Sequence, residues 1–201
     1  MDIATRMEYL RKEHQDIVHF LKEWDEVLAQ TASKDPEECV RGLNHLRELQ
    51  PNMKALRGHC STEERNVEGP YREYLEEGQL EQLKKEHRDL SRMLEDLFTE
   101  LRFATLYQTE RAISAGREVS ALARRHIQFE EELLGEIERK LSEEAEQKLL
   151  DQRLRDQQFY TRSLIESNID ALMTTDPAGI ITDVNKQMEA LTGCTRDELI
   201  G

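Results

Sequence analysis

Apolar residues recur at alternating three- and four-residue steps from the start of the chain to Leu141, the period of amphipathic helices packed in a bundle. The first stripe reads Ile3, Met7, Leu10, His14, Ile17, Leu21, Trp24 and Leu28, and predicts a helix from about Asp2 to about Gln30. A loop over Thr31 to Asp35 should follow, with Asp35 as N-cap and Pro36 at the first helical position. The second stripe (Cys39, Leu43, Leu46, Leu49, Met53, Leu56, His59, Glu63, Val67) predicts a helix from about Pro36 to about Val67, kinked at Pro51. Gly69-Pro70 marks its end, and Glu77-Gly78 reads as a further stop. A third helix resumes near Gln79 through Leu80, Leu83, His87, Leu90, Leu94, Leu97, Leu101 and Ala104. A fourth spans about Thr109 to Leu141 through Ile113, Gly116, Val119, Ala123, His126, Glu130, Leu133 and Ile137. Four such helices with short connections make an all-α, up-down-up-down four-helix bundle over residues 1–141.

Beyond Leu141 the pattern thins. Ser142 is placed to cap a separate charged helix through about Gln158, with only Leu149, Leu150 and Leu154 as an apolar stripe. Residues 142–163 read as a connector and as the natural place for a homodimer contact through a short coiled coil. From Leu164 the chain shifts to β character around Asp176-Pro177-Ala178-Gly179, a turn between two short apolar strands.

Composition narrows the function classes. The 201 residues carry a formal net charge of −14, with 35% charged and 5% aromatic residues. That balance argues against nucleic acid or an anionic membrane as partner, because affinity for phosphate rests on Lys and Arg. No apolar run approaches the ~20 residues needed to span a bilayer. The N-terminal residues lack the apolar core of a signal peptide. Three cysteines (Cys39, Cys60, Cys194) without CxxC spacing suggest reduced thiols. Together these point to a cytoplasmic protein.

Six polar residues sit where the stripes should be apolar: His14, His59, Glu63, His87, His126 and Glu130. Their order is a histidine, then a His-x-x-x-Glu step, and then the same again, the mark of an internal duplication. The contexts Glu13-His14-Gln15-Asp16-Ile17 and Glu86-His87-Arg88-Asp89-Leu90 match as well. Residues four apart on a helix share a face, separated by about 6 Å in rise, so His59 with Glu63 and His126 with Glu130 can each reach one point. Six polar groups converging inside an apolar bundle are costly unless something satisfies them, and two cations bridged by two carboxylates would do so. The donor set suits iron, manganese or zinc. It is neither HExxH, with both histidines on one helix, nor the ferritin arrangement of ExxH steps. A histidine-rich set lowers the negative charge at the metals and favours a redox-active iron pair with a diatomic gas or oxidant as ligand.

On these residues the first ~141 positions resemble the hemerythrin-like (HHE cation-binding) family, whose bundles hold a non-haem di-iron centre. The resemblance implies His14, His59, His87 and His126 as terminal ligands, Glu63 and Glu130 as bridges, and two iron ions ahead of manganese or zinc. Oxygen-carrying hemerythrins have a fifth histidine and an aspartate ligand that this chain lacks, so simple oxygen carriage is not implied. Some relatives place a further Glu directly after the second histidine, where this chain has Cys60. The run Asp176 to Asn185, followed by Leu191 to Gly201, resembles the start of a PAS domain, with a hairpin turn at Asp176–Gly179 and a helix entered at Asn185. The chain stops before a PAS sheet is complete, so the hairpin is expected to be mobile or to lean on another surface. A C-terminal output domain beyond residue 201 is expected.

The order metal bundle, charged helix, PAS start favours a sensor of oxygen, nitric oxide or redox change. The alternatives are a di-iron enzyme or iron-centre repair protein, and simple iron binding or storage. Around the six residues, Trp24 and Met53 read as core, and His19 (about 140° from His14 around the helix) and His45 as surface. Glu64 and Glu131 point off the stripe, toward solvent or toward a hydrogen bond with a ligand. Cys60 reads as a small buried residue or as a redox-sensitive thiol. Gly58 and Gly116 either admit a small ligand or permit close helix packing.

Overall fold

The computed structural model describes residues 2–67 and 69–201. Two compact units are present, Met1–Leu141 and Ser142–Gly201. The first is a helical bundle of α1 (Ile3–Thr31), α2 (Pro36–Glu48), α3 (Gln50–Val67), a 3-10 turn at Arg72–Tyr74, α4 (Glu77–Phe103) and the first part of α5 (Glu110–Ser167). Local chemistry sets the starts. Asp2 caps α1 by accepting from the Thr5 amide at 2.8 Å, and Asp35 caps α2 by accepting from the Glu37 amide at 3.1 Å, with Pro36 in the first turn.

The structure corrects the expected helix boundaries in four places. The helix expected over 36–67 is two helices, not one kinked helix. The break falls at Leu49, where both the Asn52 and Met53 amides donate to the Leu49 carbonyl, at 3.1 and 3.2 Å. Pro51 cannot donate to the turn before it, so it sits in the first turn of a new helix, where no donor is needed. Glu77-Gly78 is not a stop but the first turn of α4, with the Gln79 side chain accepting from the Glu76 amide at 2.8 Å. Ser142 caps nothing, because α5 runs through it unbroken for 58 residues. The following Glu, Ala, Gln, Lys and Leu residues are strong helix formers, and one interior Ser costs only tenths of a kcal/mol. For the same reason Leu164 to Ser167 remain helical.

Seam positions are buried along all four legs, from Met7 to Leu28 on α1, Cys39 to Leu56 on α2 and α3, Leu80 to Leu101 on α4, and Ile113 to Ile137 on α5. Ile3 and Ile17 are half-buried, and the side chain of Val67 lies outside the described residues. The core is divided into two clusters. The larger is built on Leu21, Trp24, Leu46, Met53, Leu90, Leu97 and Val119. The smaller is built on Met7, Leu10, Tyr71, Tyr74, Leu83, Leu133 and Ile137. On α1, α4 and α5 the boundary between the clusters falls at His14, His87 and His126–Glu130. Trp24 anchors one side, its indole N–H donating to the Gly116 carbonyl at 3.3 Å. A Cβ on Gly116 would meet a Leu28 methyl at 2.8 Å, so this glycine serves close packing and not ligand entry.

The second unit holds the end of α5, the strands β1 (Met173–Thr175) and β2 (Ile181–Val184), and the short helices α6 (Lys186–Thr192) and α7 (Arg196–Leu199). The strands pair antiparallel, with Met173 opposite Val184 and a bulge between Thr174 and Thr175. Asp176 closes the turn by accepting the Ala178 and Ile180 amides at 2.9 Å each, and Gly179 takes the left-handed conformation the turn needs. The hairpin is not left to itself within this unit. Arg162 donates to both carboxylate oxygens of Asp183 at 2.8 Å and also pairs with Glu166. Asn185, fully buried, donates to the Ile165 and Asp170 carbonyls while its Oδ1 accepts from the Leu172 and Met188 amides.

Candidate metal centre

The six residues read from the sequence meet in one buried layer. Heptad geometry places His14 mid-seam on α1 and His87 mid-seam on α4, while α3 and α5 each present a histidine and the glutamate one turn later. All six side chains are at most 4% exposed.

The two carboxylates lie between two pairs of imidazoles. Glu63 Oε1 is 3.2 Å from both His14 Nε2 and His59 Nε2. Its Oε2 is 3.4 Å from His87 Nε2 and 3.8 Å from His126 Nε2. Glu130 repeats this in mirror fashion. Oε2 lies 3.2 Å from His14 Nε2 and 3.7 Å from His59 Nε2, and Oε1 lies 3.5 Å from His87 Nε2 and 3.0 Å from His126 Nε2. Two four-donor sets result: His14, His59, Glu63, Glu130 and His87, His126, Glu63, Glu130. Each has two nitrogens and two oxygens, and both share the same pair of carboxylates.

Short distances are not matched by hydrogen-bonding geometry. Among the described residues, the Nε2 atoms of His59, His87 and His126, Glu63 Oε2 and both carboxylate oxygens of Glu130 have no hydrogen-bond partner. Each buried orphan of this kind costs on the order of 1–3 kcal/mol, so six together favour a cation that receives their lone pairs. Donor chemistry and orphaned atoms thus fit metal ions.

Without metal, protons are the only counter-charge on hand. Burial disfavours charge on the imidazoles, but Glu130 and Glu63 outweigh it, pushing His14 and His87 up to about 10 and His59 to about 11. His126 is driven up further, by Cys60 and the same two carboxylates against burial. Glu63 is held down at about 2, because the imidazoles overcome its burial and the nearby Glu130; Glu130 is held well below the usual range as well.

A second ring of acids orients the imidazoles from behind. His14 Nδ1 meets Glu131 at 2.5 Å, His59 Nδ1 meets Glu13 at 3.1 Å, His87 Nδ1 meets Glu64 at 3.2 Å, and His126 Nδ1 meets Glu86 at 2.8 Å. An acceptor at Nδ1 keeps the proton there and leaves Nε2 free to ligate. Glu64 and Glu131 therefore take the hydrogen-bonding role. The part played by Glu13 and Glu86 was not read from the sequence, although the repeated Glu-His pair carried the signal. Cys60, 4% exposed, brings its sulfur within 4.8 Å of ligand atoms of His87 and His126. His19 is exposed, and His45 is half-buried and 3.7 Å from Glu23, so neither joins the layer.

The family model for the hemerythrin HHE cation binding domain matches residues 5–137, and that for the PAS fold matches residues 159–201. No curated protein and no solved structure matches the chain. None of the described helices is long and apolar enough to cross a membrane. With the first match covering nearly all of the bundle and its polar layer, the chain belongs to the hemerythrin HHE cation-binding domain family, and its C-terminal residues 159–201 match the PAS fold.

Proposed function

We infer that the bundle is a non-haem di-iron sensory domain. It responds to oxygen, nitric oxide or a change of redox state and passes that response to the PAS module. The observation that supports this best is the pair of four-donor sets sharing Glu63 and Glu130, with orphaned lone pairs aimed between them. His14 and His59 would hold one ion and His87 and His126 the other, with Glu63 and Glu130 touching both. Bound iron would supply reversible one-electron chemistry and affinity for small ligands. The chain's own contribution is to fix imidazole orientation through Glu13, Glu64, Glu86 and Glu131, to offset part of the charge of the two ions with two buried carboxylates, and to exclude bulk water with the two apolar clusters.

Transmission is assigned to α5, which carries His126 and Glu130 and continues as one helix to Ser167. Leu149, Leu150 and Leu154 on that helix, each at least half exposed, suit a homodimer contact. Such coupling needs two bundle states with different ligand affinity.

The test is metal content and the optical spectrum of the anaerobically purified chain, before and after nitric oxide and oxygen, with spin-label distances along residues 142–167 in each state. Two irons per chain, spectral change with the gas and altered distances are expected. Identical distances in all states would remove the sensing role and leave a metal-binding domain.

A further inference from the structure

A small cavity of about 20 Å³ lies against the centre, with Glu63 and Glu130 on one side and Leu10, Leu83, Leu133 and Ile137 around the rest. About 10–15 Å³ admits one water, so there is room for a single water or a diatomic molecule and little else. Asn66, Leu75, Leu134 and Tyr71 complete its lining. Tyr71 is 2% exposed, and its hydroxyl has no hydrogen-bond partner among the described residues.

An unpartnered buried hydroxyl costs on the order of 1–3 kcal/mol, while a phenylalanine there would keep the packing without that cost. The backbone that carries the ring is tied to α3. The Tyr71 amide donates to the Asn66 carbonyl at 3.1 Å, and Asn66 Oδ1 accepts from Arg6 Nη1 at 3.0 Å. The ring itself packs in the smaller apolar cluster. A donor fixed in an apolar cavity beside two carboxylates is arranged for an acceptor that is not part of the chain. Burial, opposed by Arg6 and reinforced by Glu63, pushes the phenol up to about 12, so it carries its proton at neutral pH.

We propose that the Tyr71 hydroxyl is the hydrogen-bond donor to a single diatomic ligand, of the class of nitric oxide and dioxygen, held in this cavity beside Glu63 and Glu130. This rests on the di-iron reading above. In a low-dielectric cavity one such donor discriminates between ligands that gain negative charge on binding and those that do not.

The full chain and its Tyr71→Phe variant, loaded anaerobically with ferrous iron, are titrated with nitric oxide. Iron content, the N–O stretching frequency and the rate of nitric oxide release are measured for each. Equal iron content, a shifted N–O stretch and release about tenfold faster in Tyr71→Phe are expected, the worth of one hydrogen bond of about 1.4 kcal/mol. If parent and variant bind nitric oxide with the same stretch and the same release rate, Tyr71 has no such role and the di-iron reading stands. If the iron-loaded parent takes up no nitric oxide, the small-ligand reading falls and this inference with it.

Discussion

The two halves of the metal layer offer the same donors but different neighbours. His14 and His59 face one set of carboxylate oxygens, His87 and His126 the other, and each imidazole is backed by its own glutamate. The residue after the second histidine breaks the likeness. It is Ile127 in the second repeat, whereas in the first it is Cys60, whose sulfur lies near His87 and His126. The backing contacts differ too, since that of His14 is 2.5 Å and that of His87 3.2 Å. The two halves present matching donors, and their surroundings differ enough that two ions held as proposed need not behave alike.

The largest expected effect tests the shared bridge. Glu63→Ala and Glu130→Ala should each abolish loading of two ions per chain, as read by metal analysis, because each carboxylate serves both sets. Retention of both ions in either variant would mean that the bridge is misassigned. The next effect addresses the backing acids. Glu131→Ala and Glu64→Ala should each weaken metal affinity by about 10–100-fold. Competition with a chelator should show the larger loss for Glu131, whose contact is shorter. Equal losses would erase the distinction between the halves.

Acid–base behaviour gives a third test. In the metal-free chain the imidazoles of His14, His59 and His87 sit at about 10 to 11, above the unfolded value of 6.5, so at these three the native state holds more protons than the unfolded state between these limits. Their stabilising contribution is complete below pH 6.5, declines as pH rises, and is gone above about pH 11. The Glu63 contribution has the opposite sense, present above pH 4.5 and lost as pH falls toward about 2. Thermal melts of metal-free chain should therefore fall on the alkaline side. Metal displaces the same protons, so its stabilising increment should grow with pH and its binding should acidify an unbuffered solution. The smallest effect lies away from the centre. Gly116→Ala should cost about 1–3 kcal/mol by denaturant melt with metal content unchanged, since the new methyl meets Leu28 and Trp24.

The seams and the six inward polar residues were legible because helical period alone decides which face a residue occupies. Trp24, Met53 and Leu94 needed no knowledge of their neighbours to be placed inside. What the period cannot convey is which side chain on one helix reaches a side chain on the next. Glu13 and Glu86 lie one residue before His14 and His87 yet support a histidine on another helix, so the repeated Glu-His pair flags them but spacing within their own helix does not say which imidazole they reach. Tyr71, Tyr74 and Leu75 escaped for a different reason: they sit in the turn between α3 and α4, where no repeat exists to betray burial. The break at Leu49 and the unbroken passage through Ser142 show local signals yielding to their surroundings. Proline forced more than a bend, and a single serine was too weak to end a run of good helix formers.

Glu64 and Glu131 each support a histidine from the opposite repeat, and Glu63 and Glu130 each reach across to both. Divided between α3 and α4, either piece would keep two imidazoles and one carboxylate, half the grip that two ions require. The centre is a clasp whose leaves must close on each other before it can hold anything. On the proposed reading, the energy of ion binding would go into joining the front of the bundle to its back, so removing the ions should loosen the whole domain and not merely vacate a pocket.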